Sequence, residues 1–511
     1  MTLLAESFDP APSWRAQTSI AVVDSTDLPA DIELLAVPVS STGDVPAEVG
    51  MAWDRLRGAG FTGRVGQSLL VSVPSGPPLV VYGVGDPAAL DAAGVRDAAA
   101  AFARAAGKQS RLAMVLPGGD RAGEDHAQAA VEGALLARYA YRGLRKAPEE
   151  VAVTELTLVA DPRSRTAVES GAQRGAAYVR AASLARDLAN GPPSLLTAAR
   201  IAEYAQALAP ECGLSAEVFE RDALVELGCG GLLGVNAGSV DPPRMIKLKY
   251  EPAGDGPDVP RLTLVGKGIM YDSGGIALKP ADAVHATMKN DMSGAGAILA
   301  AMSVLRDVAC PVAVTAYLMC TDNMPSGSAT KLGDVLSIRG GMTVEVVNTD
   351  AEGRLVMADA LVLATEEPVD AIVDIATLTG ACMRALGTRI AGVFGNDQVL
   401  VDQVKAAADR VDEPVWQLPM ARRYRSEMDS HVADIKNMGG ANGAAIHAAL
   451  FLEEFVAGRP WAHIDIAGTA QNESSTGWQS AGCSGFGARL LVEFAVNFSR
   501  PQPGKQGDER G

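Results

Sequence analysis

Short apolar runs alternate with longer stretches of helical period in the first third of the chain. LLAVPV (34–39), SLLVSV (68–73), PLVVYGVG (78–85), RLAMVLP (111–117) and LTLVAD (156–161) have the length and composition of buried strands. DAAGVRDAAAAFARAAG (91–107) and HAQAAVEGALLARYAYRGL (126–144) have the apolar spacing of helices. This alternation predicts an α/β domain with a mainly parallel sheet over residues 1–163. SRTAVESGAQRGAAYVRAASLARDLAN (164–190) predicts one long connecting helix, stopped by the two prolines of NGPPS.

The pattern resumes in a second α/β domain over 191–499, with a mixed, mainly parallel sheet flanked by helices. Its expected strands include 244–250, 261–268, 312–319, MTVEVVN (342–348), 371–378 and 461–468. Its expected helices include 294–307, 355–366, 443–457 and 485–497. The polar, Pro/Gly-rich end, RPQPGKQGDERG (500–511), reads as a flexible tail.

Composition narrows the function classes. The formal net charge is −17, and no Lys/Arg run exceeds two residues. Residues 1–180 carry 17 basic against 21 acidic side chains, so most of the excess lies in the second domain. A nucleic-acid binder would show a basic stripe; acidic excess suits solubility or a cation site. The six cysteines are widely and irregularly spaced, with no CxxC, which predicts buried thiols rather than a disulfide framework or zinc finger. The chain opens without a basic, apolar leader and has no long apolar span, so a cytoplasmic protein without membrane segments is expected.

Candidate chemistry collects where ligands bind in open α/β sheets, beyond the carboxyl ends of strands. GKGIMYDSGG supplies Lys267 and Asp272. KPADAVHATMKNDMSG supplies Lys279 and Asp291. NTDAEGRL supplies Asp350, Glu352 and Arg354. Four carboxylates gathered at one place would repel and raise one another's pKa, a conflict that divalent cations remove. Oxygen-rich ligation suits Mn²⁺, Mg²⁺ or Zn²⁺. Taken singly, each residue also has a local explanation. Asp272 is a good turn former, Asp291 precedes a helix, and Lys279 precedes a proline. Lys267 lies between glycines but outside the order of a phosphate-binding loop.

NTDAEGRL admits two geometries. Thr349 and Glu352 match a capping box for the helix that follows. Arg354 opposes that reading, because a cation in the first turn works against the helix dipole. In an extended segment, Asp350 and Glu352 would instead point to the same side and reach one ion.

Together these segments resemble the leucyl aminopeptidase family, the M17 di-metal peptidases. The resemblance is carried by VGKGIMYDSGGIALKP (265–280), MKNDMSGAGA (288–297), NMPSG (323–327), VVNTDAEGRLVMADAL (346–361), ATLTGAC (376–382) and WAHIDIAG (461–468), and spans about 185–497. It implies a macro-like N-terminal domain and a catalytic C-terminal domain that removes N-terminal residues, Leu and other apolar ones preferred, from peptides. Lys267, Asp272, Asp291 and Glu352 would hold a tighter metal ion. Asp272, Asp350 and Glu352 would hold an exchangeable one, Mn²⁺ before Zn²⁺ or Mg²⁺. Lys279 and Arg354 would be the catalytic pair, with a bicarbonate beside Arg354. Met288, Thr377, Leu378, Gly380, Ala467 and Ala470 would line the substrate pocket, and the assembly would be a homohexamer, a dimer of trimers.

Two departures qualify the transfer. The stretch from Lys279 to Asp291 is one residue longer than the family pattern, which leaves Asn290 as the alternative to Asp291 and places His285 in the longer loop. A larger Met is usual where this chain has Ala470, which implies a roomier pocket. Two other classes stay in view. A phosphohydrolase using the same carboxylates would need a phosphate-holding basic cluster, and the sequence has none. A nucleotide- or DNA-binding N-terminal domain conflicts with its acidic balance.

Overall fold

The computed structural model describes residues 8–16, 18–73, 76–119, 122–145, 151–254, 256 and 258–501. The expected tail beyond residue 501 and the first seven residues lie outside them. The chain divides into two compact units.

The first unit comprises Ala11–Ser183 together with Asn472–Ser484. Its sheet has strands β1 (Ser19–Val23), β2 (Leu34–Val39), β3 (Ser68–Val71), β4 (Leu79–Gly83), β5 (Arg111–Val115) and β6 (Glu155–Val159), in the order β1-β6-β5-β2-β4-β3. Only the edge strand β3 runs antiparallel. Helices α1 (Ala92–Ala105) and α2 (Glu124–Ala137) and the start of α3 (Arg165–Asn190) bury small side chains against one face. A second apolar cluster around Leu56 and Phe61 covers β2 and β4 on the other. Asn472–Ser484 belongs to this unit because Arg104 donates to the carbonyls of Gly477 (2.7 Å) and Gln479 (2.8 Å) and Trp478 joins the apolar core.

The strands expected here are present, somewhat shortened, and SIAVV (19–23) forms an additional one. Helix α2 stops at Ala137 rather than Leu144. Arg138 leaves the helical conformation, and its guanidinium turns back to the carbonyls of Ala103, Gln109 and Val151.

The second unit comprises Leu184–Gln471 and the described residues at both ends of the chain. Its main strands are β7 (Ser215–Phe219), β8 (Arg244–Tyr250), β9 (Arg261–Asp272), β10 (Ala313–Asn323), β13 (Ala371–Ala376), β14 (Ala391–Gly395), β15 (Val415–Gln417) and β17 (Trp461–Asp465). They follow the order β15-β14-β17-β13-β9-β10-β8-β7. The central four, β17-β13-β9-β10, are parallel, and both flanks include antiparallel pairs. The principal helices are α4 (Ala198–Leu208), α5 (Ser293–Met302), α6 (Gly353–Glu366), α7 (Gln398–Val411), α8 (Ala444–Glu453) and α9 (Ala488–Asn497).

MTVEVVN is not a strand of this sheet. Only β12 (Thr343–Glu345) is extended, and it pairs with β11 (Val335–Ser337) and β16 (Ile435–Lys436) in a separate three-stranded sheet. All six cysteines are buried and none is in a disulfide. Among the described residues no helix is long and apolar enough to cross a membrane.

The two helix layers approach β9 from opposite faces, as the alternation of strand side chains requires. Gly266 faces Ala295 of α5, and Lys267 reaches toward Gly353 of α6. At the start of α5, a Cβ added to Gly294 would overlap the carbonyl oxygen of Ile375 on β13. Gly294→Ala is therefore expected to lower stability by about 1–3 kcal/mol. It should appear as a lower urea midpoint with an unchanged slope.

Candidate active site

Strand β9 carries two of the expected ligands. Lys267 is buried in the middle of a long apolar strand, and its Nζ lies 2.8 Å from Asp291 Oδ2 and 2.7 Å from Glu352 Oε1. It also donates to the Thr377 carbonyl at 2.9 Å. The side chain passes so close to the start of α6 that a Cβ on Gly353 would sit 2.7 Å from Nζ. Asp272 ends the strand. Its Oδ1 accepts from Gly274 N (2.9 Å) and Asn323 Nδ2 (2.8 Å). The loop then returns through Lys279, whose backbone N–H donates to Ser273 O at 2.9 Å. Lys279 Nζ spans Asp272 Oδ2 (2.7 Å) and Asp350 Oδ1 (2.5 Å).

NTDAEGRL takes neither geometry expected of it. Asn348 Oδ1 accepts from Asp350 N at 2.9 Å and bends Thr349–Asp350 into a turn. Glu352 already has helical angles at the N-cap of α6, and no side chain caps that end. Thr349 is occupied elsewhere: its hydroxyl donates to Gly274 O (2.7 Å) and accepts from Ala277 N (2.9 Å). The capping box fails because the Asp272–Lys279 loop takes its hydroxyl. The turn still brings the two carboxylates together, and one oxygen each of Asp272, Asp350 and Glu352 lie within 4.8 Å of one another.

Asp291 lies on the 3₁₀ segment His285–Met292 and is buried against Lys267, while Thr377 Oγ1 donates to its Oδ1 at 2.7 Å. Asn290 turns away and donates to Gln471 Oε1 at 3.0 Å. Asp291, not Asn290, therefore joins the cluster. His285 is outside it, its ring 5.9 Å from that of Tyr271.

Around this cluster, four carboxylates face two ammonium groups. Burial pulls the Lys267 pKa down, but Asp291, Glu352 and Asp272 outweigh it and hold the amine protonated. The same balance raises Lys279, with Asp272 the main partner. Burial and the Glu352 charge push Asp272 up to about 6 against the pull of both lysines. Burial raises Asp291 well above the usual carboxylate range. Burial also acts on Glu352, but Lys267 overcomes it and lowers the pKa. Glu352 Oε2 is buried with no hydrogen-bond partner. A buried excess of negative charge with an unpartnered carboxylate oxygen fits divalent cations.

Arg354 follows in α6. Its Nη1 donates to Asn437 O at 2.8 Å, its Nε is buried without a hydrogen-bond partner, and burial lowers its pKa to about 10. Of the expected pocket residues, Thr377 adjoins the cluster. It bonds Asp291 directly, and Met288 precedes Asp291 by one turn of the 3₁₀ segment. Asp465, at the end of β17, gathers the rest. Its carboxylate accepts from Leu378 N (3.2 Å), Thr379 N (3.3 Å), Thr379 Oγ1 (2.7 Å) and Ala467 N (3.1 Å). Gly380 opens the short helix that Thr379 caps, and Ala470 is buried at the next turn, its N–H on Ile466 O. Sequence reasoning missed Asn323, Asp465 and Asn437 as site residues. The signal for Asp465 and Asn323 was a polar residue at the carboxyl end of an apolar strand.

The catalytic-domain profile of the cytosol aminopeptidase family matches residues 183–492, and the N-terminal-domain profile matches residues 49–148. The chain belongs to the cytosol aminopeptidase family. It is a metal-dependent aminopeptidase. A probable cytosol aminopeptidase of Leifsonia xyli is 43% identical over 510 residues, covering 96% of this chain and 97% of the relative. One of Streptomyces avermitilis is 43% identical over 454 residues, covering 85% and 87%. Among solved structures, a tomato leucine aminopeptidase variant matches with a TM-score of 0.86 at 29% identity, over 96% of this chain and 99% of the other. The bottromycin maturation enzyme BotP in complex with Mn matches with a TM-score of 0.83 at 37% identity, over 91% and 99%.

This aminopeptidase should bind metal in competition with protons. Asp272 titrates at about 6 without metal, so it is protonated below that pH and ionised above it. Mn²⁺ affinity, measured calorimetrically on stripped protein, is expected to fall at least about tenfold between about pH 7.5 and about pH 5. Equal affinity at both would contradict the assignment.

Proposed function

We propose that this enzyme removes N-terminal residues, Leu and other apolar ones preferred, from peptides by two-metal-assisted attack of water. The observation that carries the reading is the buried excess of carboxylates around Lys267, with Glu352 Oε2 left unpartnered. Lys267, Asp272, Asp291 and Glu352 would hold one ion, and Asp272, Asp350 and Glu352 the other. Mn²⁺ is favoured, since the BotP structure carries Mn; Zn²⁺ and Mg²⁺ suit the same donors. When bound, the ions supply Lewis acidity that lowers the pKa of a water, polarises the scissile carbonyl and receives the substrate's free α-amine.

The chain's own groups do the rest. Lys267 would give up its proton to solvent and serve as a nitrogen ligand. Lys279 is held protonated, and once its two carboxylates are otherwise neutralised its ammonium can donate to the developing oxyanion. Arg354 Nε offers a buried donor to a small anion, and bicarbonate there would carry the proton from water to the leaving amine. Thr377, Leu378 and Gly380 from one loop, Ala467 and Ala470 from another, and Met288 would enclose the N-terminal side chain. Two alanines and a glycine leave room for a branched apolar group. The family resemblance supports a homohexamer, a dimer of trimers, acting on peptides in the cytoplasm.

The test is hydrolysis of Leu-p-nitroanilide by metal-stripped enzyme, with Mn²⁺, Zn²⁺ and Mg²⁺ added back separately. Activity should vanish on stripping and return with Mn²⁺. Lys279→Ala should lower kcat by about 10²–10³-fold with little change in KM. Full activity in the stripped enzyme, or a Lys279→Ala enzyme with normal kcat, would overturn the reading.

A further inference from the structure

The ligand-bearing loop is braced from outside by one residue of another segment. Strands β12 and β16 pair in parallel through Val344 with Ile435 and Glu345 with Lys436. The next residue, Asn437, adds one more rung, its N–H donating to Glu345 O at 3.0 Å. There the backbone ladder ends, and the Asn437 carboxamide takes its place. Oδ1 accepts from Val347 N (2.9 Å) and, more weakly, Asn348 N (3.4 Å). Nδ2 donates to Asn348 O (2.7 Å) and Ala351 O (3.3 Å). The Asn437 carbonyl accepts from Arg354 Nη1 at 2.8 Å.

These bonds use both amide hydrogens and the amide oxygen. Asn348 O and Ala351 O lie on either side of Asp350, and Glu352 follows directly. On the inner side, Asn323 Nδ2 bonds both Thr349 O (2.9 Å) and Asp272 Oδ1. The turn is thus gripped by two asparagines, and Asn437, fully buried, is the one that also reaches Arg354.

We infer that Asn437 is a positioning residue that sets the Asp350–Glu352 carboxylates and the Arg354 guanidinium as one unit. The inference rests on the metal-ligand reading proposed above. It implies that metal affinity and turnover fall together when Asn437 changes, while KM does not, because the pocket loops hang on Asp465 instead. Aspartate is the discriminating replacement. It is nearly the same size and keeps an acceptor for Val347 N, but it turns a second oxygen toward the two carbonyls that Nδ2 now satisfies.

Mn²⁺ should be titrated calorimetrically into stripped wild-type, Asn437→Asp and Asn437→Ser proteins, with thermal unfolding measured on each. Wild-type should take up Mn²⁺, and both variants should remain folded but bind it about 10–100-fold more weakly. At saturating Mn²⁺, kcat should stay depressed through Arg354, with KM within about twofold of wild-type. If either folded variant binds Mn²⁺ as wild-type does, and only its unfolding temperature falls, Asn437 is structural and the inference fails. If wild-type itself takes up no Mn²⁺, the failure lies with the metal reading.

Discussion

The contact on which the site depends is the ammonium of Lys267 between Asp291 and Glu352, at 2.8 and 2.7 Å, deep in the second unit. A lysine at that depth is unstable as a cation unless carboxylates surround it, and carboxylates at that depth are unstable without a cation. Each explains the other in the metal-free protein. The balance is incomplete, however, because four acidic groups share two ammonium groups. In the proposed metal reading, ions would complete it by displacing the Lys267 proton, so protonation and metal binding would compete at the same nitrogen.

The surrounding fold serves to bring distant chain segments to this point. Strand β9 presents Lys267 and Asp272. Gly353 lets α6 start against the lysine side chain, and Gly294 lets α5 cross β13. Asp465 ties the segment after β13 to the one after β17, and Asn437 ties the small sheet to the ligand turn. Buried polar side chains do much of this joining, the Asn437 amide and the Asp465 carboxylate each bonding several backbone groups. The precision that the proposed two-ion site would need comes from those networks as well as from the sheet.

Much of this was legible in the chain. Apolar runs located most principal strands, because buried parallel strands are continuous stretches of Val, Ile and Leu. The chemistry was legible because unusual residues, a lysine between glycines and an arginine against a helix dipole, fit poorly as local structure. What stayed hidden depended on long-range partners. Thr349 matched a capping box, and only the Asp272–Lys279 loop, far away in sequence, claims its hydroxyl. MTVEVVN has strand periodicity, but periodicity does not say which sheet a strand joins. Asn437 and Asp465 act on backbone groups about 90 residues away, a relation that no local pattern records. The attachment of Asn472–Ser484 to the first unit depends likewise on Arg104 and Trp478.

The exchange of a proton for a metal at Lys267 is the most direct point of attack. Mn²⁺ binding to the stripped enzyme should be measured calorimetrically near neutral pH in two buffers of different ionisation enthalpy. The difference reports protons released on binding. Release of about one proton or more per chain is predicted, because Lys267 is held protonated until a metal arrives. Mn²⁺ binding with no proton release would contradict it.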